Sequence, residues 1–194
     1  DDQDDVGGDD FSSGGWLIEN VTMRATEGAG GVGSKEIKAE FGTIGNKFNN
    51  VNMLGCDYHY WLQNNQAGVQ HTGANTWNQG HSQRADRASV YINDSQQGRG
   101  NWVFNQMIIE GNAGFGLFCK GDTDNGIVNH GAMVLNSVWF EHNGVMLGST
   151  PDLVTTVEID SVNYLPQDMR FESFGNIVIN ASVVNQMDVI QSDV

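Results

Sequence analysis

The chain has 194 residues, enough for one domain, and sets 24 acidic against nine basic side chains for a formal net charge of −15. Phosphate contact needs clustered Lys and Arg, so this balance excludes a nucleic-acid surface and argues equally against an anionic membrane. The two cysteines, Cys56 and Cys119, are too few for a disulfide framework at this length and read as buried thiols filling small core sites.

In chain order, the first ten residues hold six Asp and almost no apolar mass, so residues 1–15 are expected to be a solvated, flexible acidic segment. No positively charged apolar leader and no apolar run of membrane-spanning length follows, which gives the expectation of a soluble mature chain. Residues 16–194 read as one continuous domain without a linker. Within it a short phrase recurs: apolar, any residue, a small amide or hydroxyl residue, apolar, any residue, apolar. It occupies Ile18–Met23, Phe48–Met53, Phe104–Ile109, Leu135–Phe140, Ile159–Tyr164 and Val178–Val183. Successive starts lie 30, 56, 31, 24 and 19 residues apart, and the interval of 56 predicts a further degenerate copy between residues 68 and 93.

Alternation of apolar and polar positions is strand periodicity, and the central Asn, Gln or Ser interrupts it by one residue. The phrase therefore reads as two short strands meeting at a polar bend, and its repetition as a parallel β-solenoid. Stacked bends lie one strand spacing apart, about 4.8 Å. Asn tolerates left-handed backbone angles there and passes amide hydrogen bonds along the stack. Asn20, Asn50 and Asn180 are expected in such a ladder, with Gln106, Ser137 and Ser161 as imperfect members. The 25 Gly, two Pro and strand-forming apolar runs agree with an all-β chain of low helix content. No cap is evident at either end, so the chain reads as a segment of a longer protein or of an assembly capped by neighbours.

Residues 57–83 are the least regular stretch and read as an insertion or long turn. Asp57, His59, Tyr60, Trp61 and Trp77, with His71 and His81, mix aromatic rings with groups that read hydroxyls, the character of a sugar-binding wall; a core-packing aromatic cluster is the alternative. Arg84, Arg87 and Arg99 form the one cluster of cations. Aligning the phrases places Glu110 and Glu141 at equivalent positions just after the last apolar residue. On adjacent coils these carboxylates would stand about 5 Å apart on the outer surface, close to the nucleophile and acid of a retaining glycosidase. His142 follows Glu141 and His130 precedes the same strand, which supplies further acid and base candidates. Two solvated glutamates at a strand end are the other reading. Gly121, Asp122, Asp124 and Gly126 resemble the start of a calcium loop, but Met133 stands where the closing acid belongs, and a tight polar turn explains the same residues.

The phrases Phe48-Asn49-Asn50-Val51-Asn52-Met53 and Leu135-Asn136-Ser137-Val138-Trp139-Phe140-Glu141-His142-Asn143-Gly144, each followed by glycine-containing turns, resemble the right-handed parallel β-helix of pectate-lyase-like proteins, particularly bacteriophage tailspikes. The resemblance covers roughly residues 16–190. It implies a homotrimeric fibre on the virion tail, outside the cell, that meets other virion subunits and recognises, and often cuts, capsular or O-antigen polysaccharide. Two function classes follow. One is a polysaccharide depolymerase, a hydrolase or a pectate-lyase-like lyase, with Glu110, Glu141 and His142 catalytic and with Asp57, His59, Tyr60, Trp61, Trp77, Arg84 and Arg87 binding substrate. The other is a non-catalytic receptor-binding or structural fibre. No resident metal is expected, with calcium at Asp122 and Asp124 as the exception to test.

Overall fold

A computed structural model of the chain describes residues 15–24, 35–40, 45–64, 74–94, 101–121, 132–144 and 156–190. Among the described residues there is no helix. In chain order the strands are β1 (Leu17–Arg24), β2 (Lys35–Glu40), β3 (Lys47–Leu54), β4 (Tyr58–Asn64), β5 (Asn75–Gln83), β6 (Ala88–Asp94), β7 (Asn101–Glu110) and β8 (Phe115–Gly121). They continue as β9 (Ala132–Asn136), β10 (Trp139–Glu141), β11 (Val157–Ile159), β12 (Val162–Tyr164), β13 (Met169–Glu172), β14 (Asn176–Asn180) and β15 (Met187–Ile190). Of the acidic segment expected over 1–15, only Gly15 lies among the described residues.

The first sheet runs β1-β3-β5-β7-β9-β14, with β10 also paired to β7; the second runs β15-β13-β8-β6-β4-β2. Every strand pairing within these two sheets is parallel. Parallel neighbours cannot be joined by a tight hairpin and need a crossover. Here the crossover from one strand of the first sheet to the next is a strand of the second, so the chain alternates between the sheets. The result is an all-β architecture compatible with a β-solenoid.

Register partners form columns of like residues. Ile18, Phe48, Trp77, Phe104 and Leu135 succeed one another across the first sheet. Trp77 lies over Phe48 with ring centroids 4.0 Å apart and near Phe104 at 6.1 Å, both stacked. Tyr60, Val90, Leu117 and Met169, and beside them Leu62, Ile92, Cys119 and Phe171, form the facing columns of the second sheet. These columns pack into one apolar core between the sheets, where burial of each large side chain contributes about 1.5–3 kcal/mol. Cys56 and Cys119 are both buried, and burial raises the Cys119 thiol pKa well above its ordinary value.

The polar bend takes left-handed backbone angles, with φ of 54° at Asn20, 50° at Asn50, 53° at Gln106 and 53° at Ser137. The degenerate copy lies within β5, where Gln79 has φ 54°. Its disguise is Gly80, paired with Val51 and Met107. Gly80 has φ +137°, and a Cβ there would meet the Val51 carbonyl oxygen at 2.3 Å, so no side chain is tolerated.

Bend amides do bond, from Asn50 Nδ2 to Asn20 Oδ1 at 3.0 Å and from Gln79 Nε2 to Gln106 Oε1 at 3.2 Å. The longer row stands one residue earlier, at the position treated as free in the phrase. Asn49 donates to Glu19 (2.7 Å), Asn78 to Asn49 (2.8 Å), Asn105 to Asn78 (2.7 Å), Asn136 to Asn105 (2.8 Å) and Asn180 to Asn136 (2.9 Å). Asn180 therefore belongs to this row rather than to the bends. The last copy is shifted by one residue, and Ala181, φ 48°, takes the bend. A second buried network ties the corners: Asn112 accepts from Ala85 N (2.8 Å) and donates to Asn143 (2.7 Å), which donates to Asp168 (2.8 Å).

Ile159–Tyr164 is not a coil. β11 and β12 pair antiparallel, and Asp160 and Ser161, with φ 50° and 63°, make the two-residue turn that a tight hairpin demands. The hairpin lies on the outer face of the second sheet. Ile159 packs with Tyr58, Trp61, Tyr91, Phe115 and Phe118, and the Tyr164 ring meets Phe118 edge-on at 5.0 Å. Asp160 accepts from the Tyr91 hydroxyl and from Asn93 Nδ2 at 3.2 Å. Its spacing imitated the repeat because a strand, a polar turn and a strand satisfy the same phrase.

Removing one amide from the row strands two partners. Asn105→Ala is expected to cost about 1–2 kcal/mol in urea unfolding, whereas Asn101→Ala, exposed at the start of the same strand, should change stability by no more than about 0.5 kcal/mol.

Candidate functional site

Side chains alternate along a strand, so residues two apart share a face. On the outer side of the first sheet, Gln83 pairs with Glu110 and Glu110 with Glu141. Parallel register thus stands the two carboxylates on neighbouring strands, one strand spacing or about 4.8 Å apart at the backbone. Two residues earlier runs a parallel row of His81, Ile108 and Trp139, extended by an isolated bridge from Trp139 to Val183. Ile108 and Trp139 are 44% and 49% exposed.

The rows touch. His81 Nε2 lies 3.0 Å from Glu110 Oε1. Trp139 Nε1 donates to Glu141 Oε2 at 3.0 Å, and His142 Nδ1 lies 3.4 Å from Glu141 Oε1. His142 has φ 53° just after β10 ends, where the chain leaves the sheet, and its ring remains largely in solvent. The strip therefore offers two carboxylate–imidazole pairs, the ordinary equipment of proton transfer near neutrality, and an indole whose ring the Glu141 bond orients.

Of the residues expected to form a sugar-binding wall, Asp57, His59, Tyr60, Trp61 and Trp77 are instead buried. β4 and β5 are regular members of the two sheets rather than an insertion. Tyr60 and Trp77 are fully buried in the main core, and Trp61 is buried in the cluster beneath the β11–β12 hairpin. His59 is buried beside Ser82, which in turn meets Ser89. Asp57 is buried and lies 3.4 Å from Arg87 Nε. Arg84 occupies the corner after β5 with φ 65°. The strand alternation through 58–62 is hidden in the sequence because aromatic and apolar side chains occupy both faces of β4.

The structure thus joins Glu110, Glu141 and His142 to His81, Ile108 and Trp139. Trp139 and His81 stand at the free position of the phrase, His81 in the hidden copy. Alternation counted back two residues from each glutamate's row was the signal that finds them. His71, Arg99, His130, Asp122 and Asp124 lie outside the described residues. Among the described residues, no group of three or more His, Cys, Asp or Glu is placed to hold a metal ion.

No protein-family profile matches the chain, and comparisons with curated proteins and with solved structures found no match. The class defined by the fold and strip is an all-β protein of parallel sheets bearing a carboxylate, imidazole and indole surface.

Burial lowers the His59 pKa from 6.5 to about 4. The unfolded chain takes up that proton near pH 6.5 while the folded chain excludes it to about pH 4, so stability is full above pH 6.5 and falls as the pH drops through this window. The loss attributable to His59 is about 3 kcal/mol. Unfolding free energies across that range should show a shallower slope in His59→Gln than in the parent.

Proposed function

We propose that the chain forms a right-handed parallel β-helix of the tailspike type that binds bacterial surface polysaccharide, capsule or O-antigen, along the outer strip of the first sheet and hydrolyses it. The observation that carries the reading is the register pairing of Glu110 with Glu141 beside exposed Trp139. A backbone spacing of about 4.8 Å approaches the roughly 5–5.5 Å separation of the two carboxyl groups in retaining glycosidases. One glutamate serves as acid and base and the other as nucleophile. His81 and His142 adjoin them, and Trp139 offers its ring to the apolar face of a sugar. In the same reading the chain assembles as a homotrimer with other virion subunits, on the virion tail outside the cell.

Hydrolysis is preferred to uronate lyase chemistry because a lyase needs a cation beside the sugar acid, and Arg87 is engaged by Asp57 at 3.4 Å. The net charge of −15 likewise favours a neutral glycan. A non-catalytic receptor-binding fibre is the second reading, favoured by one observation: both oxygens of Glu141 already have partners in Trp139 and His142.

Incubation with a panel of capsular and O-antigen polysaccharides, following reducing ends and unsaturated uronates, separates the readings. The hydrolase reading expects new reducing ends without unsaturation, reduced about 10²–10⁴-fold in Glu110→Gln and in Glu141→Gln. Glycan binding without cleavage would move the assignment to the fibre; unsaturated products would move it to a lyase.

A further inference from the structure

Glu110 and Glu141 are register partners, yet their hydrogen-bond partners differ in what they can do with a proton. The indole N–H of Trp139 only donates. It meets Glu141 Oε2 at 3.0 Å, so that oxygen must accept and cannot carry a proton on that side. Trp139 stands two residues before Glu141 on the same face of β10, so one short strand fixes both groups as a unit. The other oxygen, Oε1, lies 3.4 Å from His142 Nδ1, on a ring largely in solvent.

Glu110 has a different kind of partner. His81 Nε2 lies 3.0 Å from Glu110 Oε1, and an imidazole nitrogen donates in one tautomer and accepts in the other. An ionised Glu110 accepts from Nε2–H; a protonated Glu110 donates its O–H to a bare Nε2. This contact survives a change of protonation state on the glutamate. The contact between Trp139 and Glu141 does not survive a proton on Oε2.

Retaining hydrolysis asks for that difference. Its nucleophile carries no proton in either step, whereas its acid and base loses one proton and regains another in each turnover. We propose that Glu141 is the nucleophile and Glu110 the acid and base, with Trp139 and His81 as the positioning residues that hold each carboxyl in its role. The assignment rests on the hydrolase reading above. In the first step Glu141 Oε1 forms a bond to the anomeric carbon while Glu110 gives its proton to the glycosidic oxygen. The bond from that carbon to the leaving sugar breaks, and its electron pair stays on the leaving oxygen. In the second step water attacks the same carbon and gives its proton to Glu110, and the bond to Glu141 breaks with its electron pair returning to the carboxylate.

A glycosyl fluoride separates the two roles, because fluoride departs without a proton from an acid. The probe is the fluoride of the oligosaccharide that the parent chain releases from the panel glycan it cleaves, with the anomeric configuration of the broken bond. With azide present, Glu110→Ala should turn over this fluoride within about tenfold of the parent and give a glycosyl azide of unchanged configuration, while losing about 10²–10⁴-fold on the polymer. Glu141→Ala should lose both activities to a similar extent. Trp139→Phe keeps a ring and removes the N–H. It should lower kcat about tenfold with little change in KM, the worth of one hydrogen bond of about 1.4 kcal/mol. His81→Lys, whose side chain only donates, should lower kcat about tenfold further than His81→Gln, whose amide donates or accepts. Circular dichroism and melting temperature establish that each variant is folded. An azide product of unchanged configuration from Glu141→Ala, or equal effects of His81→Lys and His81→Gln, would overturn the assignment and leave the hydrolase reading in place. A parent chain that cleaves no glycan would overturn both together.

Discussion

The row of side-chain amides that begins at Glu19 holds strand upon strand in one register across the first sheet, and the other features of the protein depend on that register. Because side chains on a strand alternate with a period of two, a slip of one residue would turn the whole apolar column from Ile18 to Leu135 outward. A slip also breaks every amide contact in the row. Hydrophobic burial and the polar row thus penalise the same error. The corner network of Asn112, Asn143 and Asp168 repeats the arrangement at the turns, where buried backbone groups need partners away from solvent.

The candidate site is a by-product of the same stacking. Glu110 and Glu141 approach because parallel register places equivalent positions side by side, and the strand alternation lays Trp139 and His81 along the same face. Elsewhere in the first sheet this outer row holds Arg24, Leu54 and Gln83, so among the described residues its carboxylates belong to β7 and β10. The interior is chemically quieter. His59, Tyr60 and Trp77 are enclosed, and burial lowers the His59 pKa and raises that of Tyr60, keeping both uncharged near neutrality.

Much of the architecture was legible because the bend residue is constrained by backbone geometry: only a few side chains tolerate φ near +50°, and Asn20, Asn50, Gln106 and Ser137 advertise the position. The hidden copy needed its interval to be noticed, since Gly80 removes the apolar letter that the pattern requires. Two copies misled for local reasons. Ile159–Tyr164 satisfies the phrase as an antiparallel hairpin, and Val178–Val183 matches it one residue out of register because Asn180 resembles a bend. The continuous amide row was invisible to a pattern that left its position free. The aromatic wall failed for a different reason. Composition does not report which side of a strand a ring occupies, and both faces of the second sheet are apolar, one toward the core and one beneath the hairpin.

The register that joins the fold to its surface strip is tested most directly by a cross-strand disulfide. Register partners on adjacent parallel strands fall within the roughly 4.4–6.8 Å Cα separation that a disulfide spans. Cysteines placed at Glu110 and Glu141 in one double variant, and at Ile108 and Glu141 in another, would be oxidised under identical mild conditions and scored by mass spectrometry after digestion. The account predicts rapid bridging of Glu110→Cys with Glu141→Cys and little bridging of Ile108→Cys with Glu141→Cys. Preferential bridging of the offset pair, or of neither, would contradict it.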